Sequence, residues 1–145
     1  MAQHIRQTIL FIGFIGNVLA ADPFVGIWKL DVTKSAGTAP KGETLVVKQQ
    51  GDRLFVEVSV FDANLNTPTT SIRYSVPAIG GNGRVEAGPY DGVSIHRDNP
   101  TTLEMTYLSH GEKVITARGT LSKDGHSMIV RARSFARPNY HRGRW

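Results

Sequence analysis

The stretch Phe24-Val25-Gly26-Ile27-Trp28-Lys29-Leu30-Asp31 reads as the first strand of a small antiparallel barrel. Alternation puts Trp28 and Leu30 on one face and Ile27, Lys29 and Asp31 on the other. Gly26, two residues before the tryptophan, leaves room for another segment to cross closely. After Asp31 the run Thr33-Lys34-Ser35-Ala36-Gly37-Thr38-Ala39-Pro40-Lys41-Gly42 has Gly, Pro and no period, so it reads as a loop.

Beyond that loop, strands follow at close spacing. Residues 43–49 share Leu45 and Val47 on one face. Residues 53–61 alternate most cleanly, with Leu54, Val56, Val58 and Val60 inward and Phe55, Glu57, Ser59 and Phe61 outward. Residues 69–76 place Ile72, Tyr74 and Val76 inward, and Pro77 stops the strand. Ile79-Gly80-Gly81-Asn82-Gly83 reads as a flexible turn before a short strand at residues 84–86. Further strands cover residues 92–97, 101–108, 112–121 and 126–134, separated by Asn/Asp/Gly turns. Their inward residues include Val93, Ile95, Leu103, Met105, Tyr107, Ile115, Ala117, Met128 and Val130.

Short connections make consecutive strands antiparallel neighbours. A meander with one apolar face removes its open edges by closing on itself. The expected fold class is therefore all-β, an antiparallel up-and-down β-barrel of eight to ten strands.

Composition fits this reading. A chain of 145 residues is one-domain length. Fifteen glycines and seven prolines imply many turns. With no cysteine, disulfides, thiolate metal sites and a cysteine nucleophile are all excluded. Residues 8–20 form a short, largely apolar run that ends in Val18-Leu19-Ala20, and Arg6 precedes it with no acid. That pattern predicts a secretory signal peptide over residues 1–20, which are then expected to stand outside the fold. Its apolar core is shorter than the roughly 20 residues of a spanning helix, so no transmembrane segment is expected in the mature chain. The domain plan is then a signal at 1–20, a barrel at 21–135 and a basic tail at 136–145. Net charge is +5, and residues 131–145 supply all of it through five arginines. A neutral body with a basic end is not the profile of a specific nucleic-acid binder. The tail, with Tyr140 and Trp145 among its arginines, offers weak contact with an anionic surface.

Four motifs occur in order along the chain: Gly26-x-Trp28-x-Leu30 with Ser35, Tyr90-Asp91-Gly92-Val93-Ser94-Ile95-His96-Arg97, Thr102-Leu103-Glu104, and Ser122-Lys123-Asp124-Gly125 with Met128. Together, over about residues 24–135, they resemble a family of uncharacterised secreted bacterial lipocalin-like proteins, with barrels of calycin type. The resemblance implies the barrel fold and a secreted or periplasmic location, and it implies no reaction. In lipocalins an arginine of the last strand covers the tryptophan at the barrel base. Here Arg131 and Arg133 occupy that strand, but alternation with Met128 and Val130 points both outward.

The predicted inward face offers Tyr74, Tyr107 and Ser134 as polar groups, and no inward Asp, Glu or His. The histidines have no metal-ligand spacing, so neither a metal nor a cofactor is expected. The leading expectation is a non-catalytic binding protein for a small hydrophobic ligand, lined by Val56, Val58, Tyr74, Ile95, Met105, Tyr107 and Ala117. The alternatives are an enzyme using Tyr74 and Tyr107, and a filled barrel acting through its surface.

Overall fold

The computed structural model describes residues 4–14, 22–35, 41–61 and 66–135. These carry eleven strands: β1 (His4–Phe14), β2 (Gly26–Leu30), β3 (Gly42–Gln50), β4 (Arg53–Phe61), β5 (Thr70–Pro77), β6 (Gly81–Asn82), β7 (Arg84–Ala87), β8 (Gly92–Asn99), β9 (Thr102–Ser109), β10 (Glu112–Leu121) and β11 (Ser127–Phe135). All belong to one sheet, in the order β6-β8-β9-β10-β11-β1-β2-β3-β4-β5-β7, and every pairing is antiparallel. The chain is an up-and-down barrel, as its alternation requires. The basic tail at 136–145 and the expected signal-cleavage point at Ala20 lie outside the described residues.

The ends of the sheet meet within one short segment. β6 pairs with β8 through Gly81↔Ile95 and Asn82↔Ser94, and β7 pairs with β5 through Tyr74↔Val85 and Ser75↔Arg84. Gly83 joins them, and its N–H donates to the Val93 carbonyl at 2.8 Å. A Cβ at Gly83 would lie 2.6 Å from Val76 Cγ1 and 2.9 Å from Val93 Cγ1, so only glycine lets the chain pass between β5 and β8. The stretch expected to be a flexible turn is thus the seam of the barrel.

The N-terminal end departs from the sequence expectation. The reading from sequence begins the barrel at residue 21, whereas in the structure His4–Phe14 is already a strand of the sheet. It pairs with β11 from His4↔Phe135 to Ile12↔Ser127, and with β2 from Phe11↔Leu30 to Phe14↔Ile27. Ile9, Phe11 and Gly13 alternate inward and are buried. A Cβ at Gly13 would come within 2.5 Å of Trp28 Cζ3, so the glycine makes space for the indole. The outer side of β1 has no such fit. Ile12 is 41% exposed, and beside it Ile27 of β2 is 45% and Ile129 of β11 is 39% exposed.

Inward residues from all around the barrel form one core, centred on Trp28, Leu54, Tyr74 and Val76. Burying each large apolar side chain contributes about 1.5–3 kcal/mol, which makes this interior the main stabilising element.

Candidate functional site

The two ends of the barrel are built differently. At the base, Trp28 has no exposed surface, and its indole Nε1 donates to the Phe24 carbonyl at 2.9 Å. The short strap before β2 carries Asp22, whose Oδ1 accepts from the Phe24 N–H at 3.0 Å. Arg97, at the far end of β8, closes this end. Its guanidinium donates to Asp22 Oδ2 at 2.6 Å and lies 5.4 Å from the centre of the Phe24 ring. The pair is largely shielded, with side-chain exposures of 13% for Arg97 and 8% for Asp22. The cation over the base ring therefore comes from β8, not from the last strand. Arg131 is exposed and Arg133 sits 5.0 Å from the Phe135 ring centre, so neither covers Trp28. The sequence held a signal for Arg97, which shares parity with the inward Val93 and Ile95.

Above the base, the interior holds two spaces. A cavity of about 40 Å3 lies near the base among Phe24, Leu54, Val76 and Met128. A larger one, of about 300 Å3, lies toward the opposite end, the mouth, among Phe11, Glu43, Val60, Tyr90, Tyr107 and Ala132. Leu45, Met105, Ala117 and Val130 line both and form the constriction between them. The room at the mouth comes from small side chains, because Ala117 and Ala132 face one another across β10 and β11.

All seven residues expected to line the interior do so. Val56, Tyr74 and Ile95 line the base cavity, Val58 and Tyr107 the mouth chamber, and Met105 and Ala117 both. The tyrosines are linked. The Tyr107 hydroxyl donates to the Tyr74 hydroxyl at 3.1 Å, and the Tyr74 hydroxyl donates to Met105 Sδ. Their rings meet edge to face at 5.6 Å between centroids. Tyr90 stacks on Tyr107 at 4.8 Å. Burial pushes both the Tyr74 and Tyr107 hydroxyls well above the ordinary phenol pKa. Both stay protonated at neutral pH, so neither serves as a base there.

One expectation about the interior is corrected: it does contain an acid. Glu43, the second residue of β3, lines the mouth chamber. It shares parity with the inward Leu45 and Val47, and that alternation was the signal for it. Desolvation by the surrounding walls raises its pKa from 4.5 to about 7. Tyr90 had no comparable signal, since it sits in the Gly88-Pro89-Tyr90-Asp91 turn outside any period.

Among the described residues no group of three or more His, Asp or Glu could hold a metal ion. His96 instead lies on the outer face beside Asp98, with Nε2 at 3.1 Å from Oδ1. No helix of the described residues is long and apolar enough to cross a membrane. Comparison with family models, with curated proteins and with solved structures finds no match for this chain.

Proposed function

We propose that this protein is a secreted or periplasmic, lipocalin-like binding protein that holds one small, largely apolar ligand and performs no catalysis. The observation that carries the reading is the mouth chamber of about 300 Å3, walled by aliphatic and tyrosine side chains. That volume is at the lower end of small-molecule sites, and few polar groups interrupt its apolar walls. It also counts against a filled barrel, because close-packed interiors leave few voids larger than a water molecule. The test is fluorescence titration with a neutral apolar dye such as N-phenyl-1-naphthylamine. Wild-type protein is expected to bind it saturably. Ala132→Phe, which puts a ring into the chamber, should abolish binding while the far-UV spectrum stays unchanged. Equal binding by the two proteins would overturn the chamber as the site.

Export rests on the apolar run at residues 8–20. The exposed Ile12 supports it too, because a signal core needs apolar residues on every side and a barrel strand only on one. In this reading the mature chain starts at or near Ala21 and closes with β2 against β11 after β1 is lost. N-terminal sequencing of exported protein should find that start, and Met1 on exported protein would refute it.

A further inference from the structure

We propose that the ligand of the mouth chamber is an apolar molecule bearing a basic amine, bound with its ammonium group against Glu43. The proposal rests on the ligand-binding reading above and names the ligand's chemistry.

The argument starts from which charges are present and which are paired. Three ion pairs occur among the described residues, Arg97–Asp22, Arg118–Asp98 and His96–Asp98, and all lie away from the chamber. Among the described residues Glu43 has no ion-pair partner, and no Lys, Arg or His of theirs lines the cavity. A bound carboxylate or phosphate would face the Glu43 carboxylate with no cation of the described residues to offset it. A bound ammonium would supply the missing counter-charge.

Hydrogen bonding points the same way. The hydroxyl protons of Tyr107 and Tyr74 are both committed, to Tyr74 and to the Met105 sulfur. What the Tyr107 hydroxyl still offers the chamber is acceptor lone pairs, which suit a donor-rich ammonium. The ring faces of Tyr90 and Tyr107 add to this, because a cation is attracted to the electron-rich face of an aromatic ring. The apolar body of the ligand would then lie against Val58, Val60 and Ile115, which stay in the mature chain.

The titration of Glu43 gives the site a pH signature. With a pKa of about 7, the carboxyl is close to half protonated at neutral pH, and an adjacent ammonium drives it to the ionised form. Among the described residues the other titratable groups of the chamber are the phenols of Tyr90 ahead of β8 and Tyr107 on β9, and the Tyr74 phenol on β5 feels the same carboxylate. The Tyr74 and Tyr107 phenols stay neutral across this range. Glu43's cross-strand partner on β4, Val60, carries no charge. Amine binding near pH 7 should therefore release about half a proton, whereas binding of a neutral ligand should release none.

The experiment is calorimetric titration of the full chain with octylamine, octanol and octanoate at pH 5.5, pH 7 and pH 8, in buffers of different ionisation enthalpy. Octylamine is expected to bind at least about tenfold more tightly than octanol at pH 8, the scale of one charge-assisted hydrogen bond. That advantage should shrink at pH 5.5 and vanish in Glu43→Gln, while octanol binding persists in both proteins. The buffer dependence at pH 7 should report proton release with octylamine alone. The pH contrast in wild-type protein keeps the test decisive even if the variant folds poorly. Amine and alcohol binding equally, or octanoate binding best, would overturn the amine assignment and leave the chamber reading standing. Binding of none of the three would instead overturn the chamber reading itself.

Discussion

The base and the mouth of the barrel are made from the same alternating strands, yet one is filled and the other hollow. At the base, Gly119 on β10 leaves a space that Met128 and Phe24 occupy, with Met128 Sδ 3.3 Å and a Phe24 ring carbon 3.7 Å from where a Cβ would stand. Toward the mouth, the facing pair Ala117 and Ala132 lines the chamber of about 300 Å3. Charge follows the same division. The acid at the base, Asp22, is held by Arg97, whereas Glu43 at the mouth has no cation beside it among the described residues. Alternation decides which residues point inward. Side-chain size and pairing decide whether the inside becomes a plug or a site.

The largest expected effect lies at the base. Trp28→Ala should destabilise the protein by roughly 3–5 kcal/mol, because truncating a fully buried aromatic leaves a void the barrel cannot collapse around. Denaturant unfolding measures this. A loss below about 1 kcal/mol, usual for surface positions, would show that the base is not the anchored end.

Gly13→Leu tests whether β1 belongs to that base. In unprocessed full-length protein the new side chain meets the Trp28 ring, and overpacking of this kind should cost about 3 kcal/mol. Exported protein that has lost the segment should be unaffected. A full-length chain indifferent to the change would mean that β1 does not pack on Trp28.

Glu43→Gln probes the mouth and should have the smallest effect, which should also reverse the usual sign for a mutation. An acid whose folded pKa of about 7 exceeds its unfolded value near 4.5 favours the fold while protonated. That contribution is fully present below pH 4.5 and is lost as pH rises through 7. The variant should therefore match wild type at pH 4.5. At pH 8 it should be more stable by about 2 kcal/mol, a figure discounted for solvent reaching the carboxyl. Unfolding curves at the two pH values check this, and a variant less stable at pH 8 would show that Glu43 has a partner cation.

The strands of this protein were legible in its sequence because alternation is a local property. Val56, Tyr74, Ile95 and Met105 face inward wherever the barrel closes. Turn chemistry at Asp98-Asn99-Pro100 and Lys123-Asp124-Gly125 set the antiparallel order just as locally. Glu43 and Arg97 also obeyed alternation, but parity alone says nothing about what stands opposite. Only the barrel as a whole set Arg97 against Asp22, 75 positions apart in the chain, and left Glu43 in a hollow with no cation of the described residues beside it. The N-terminal segment separates the same way. The apolar run at residues 8–20 reads by sequence as an export signal, whereas a place beside Trp28 for residues 4–14 appears only once β11 and β2 present edges for the segment to join. Pairing, cavity volume and desolvation depend on residues distant in sequence, so tertiary structure alone could decide them.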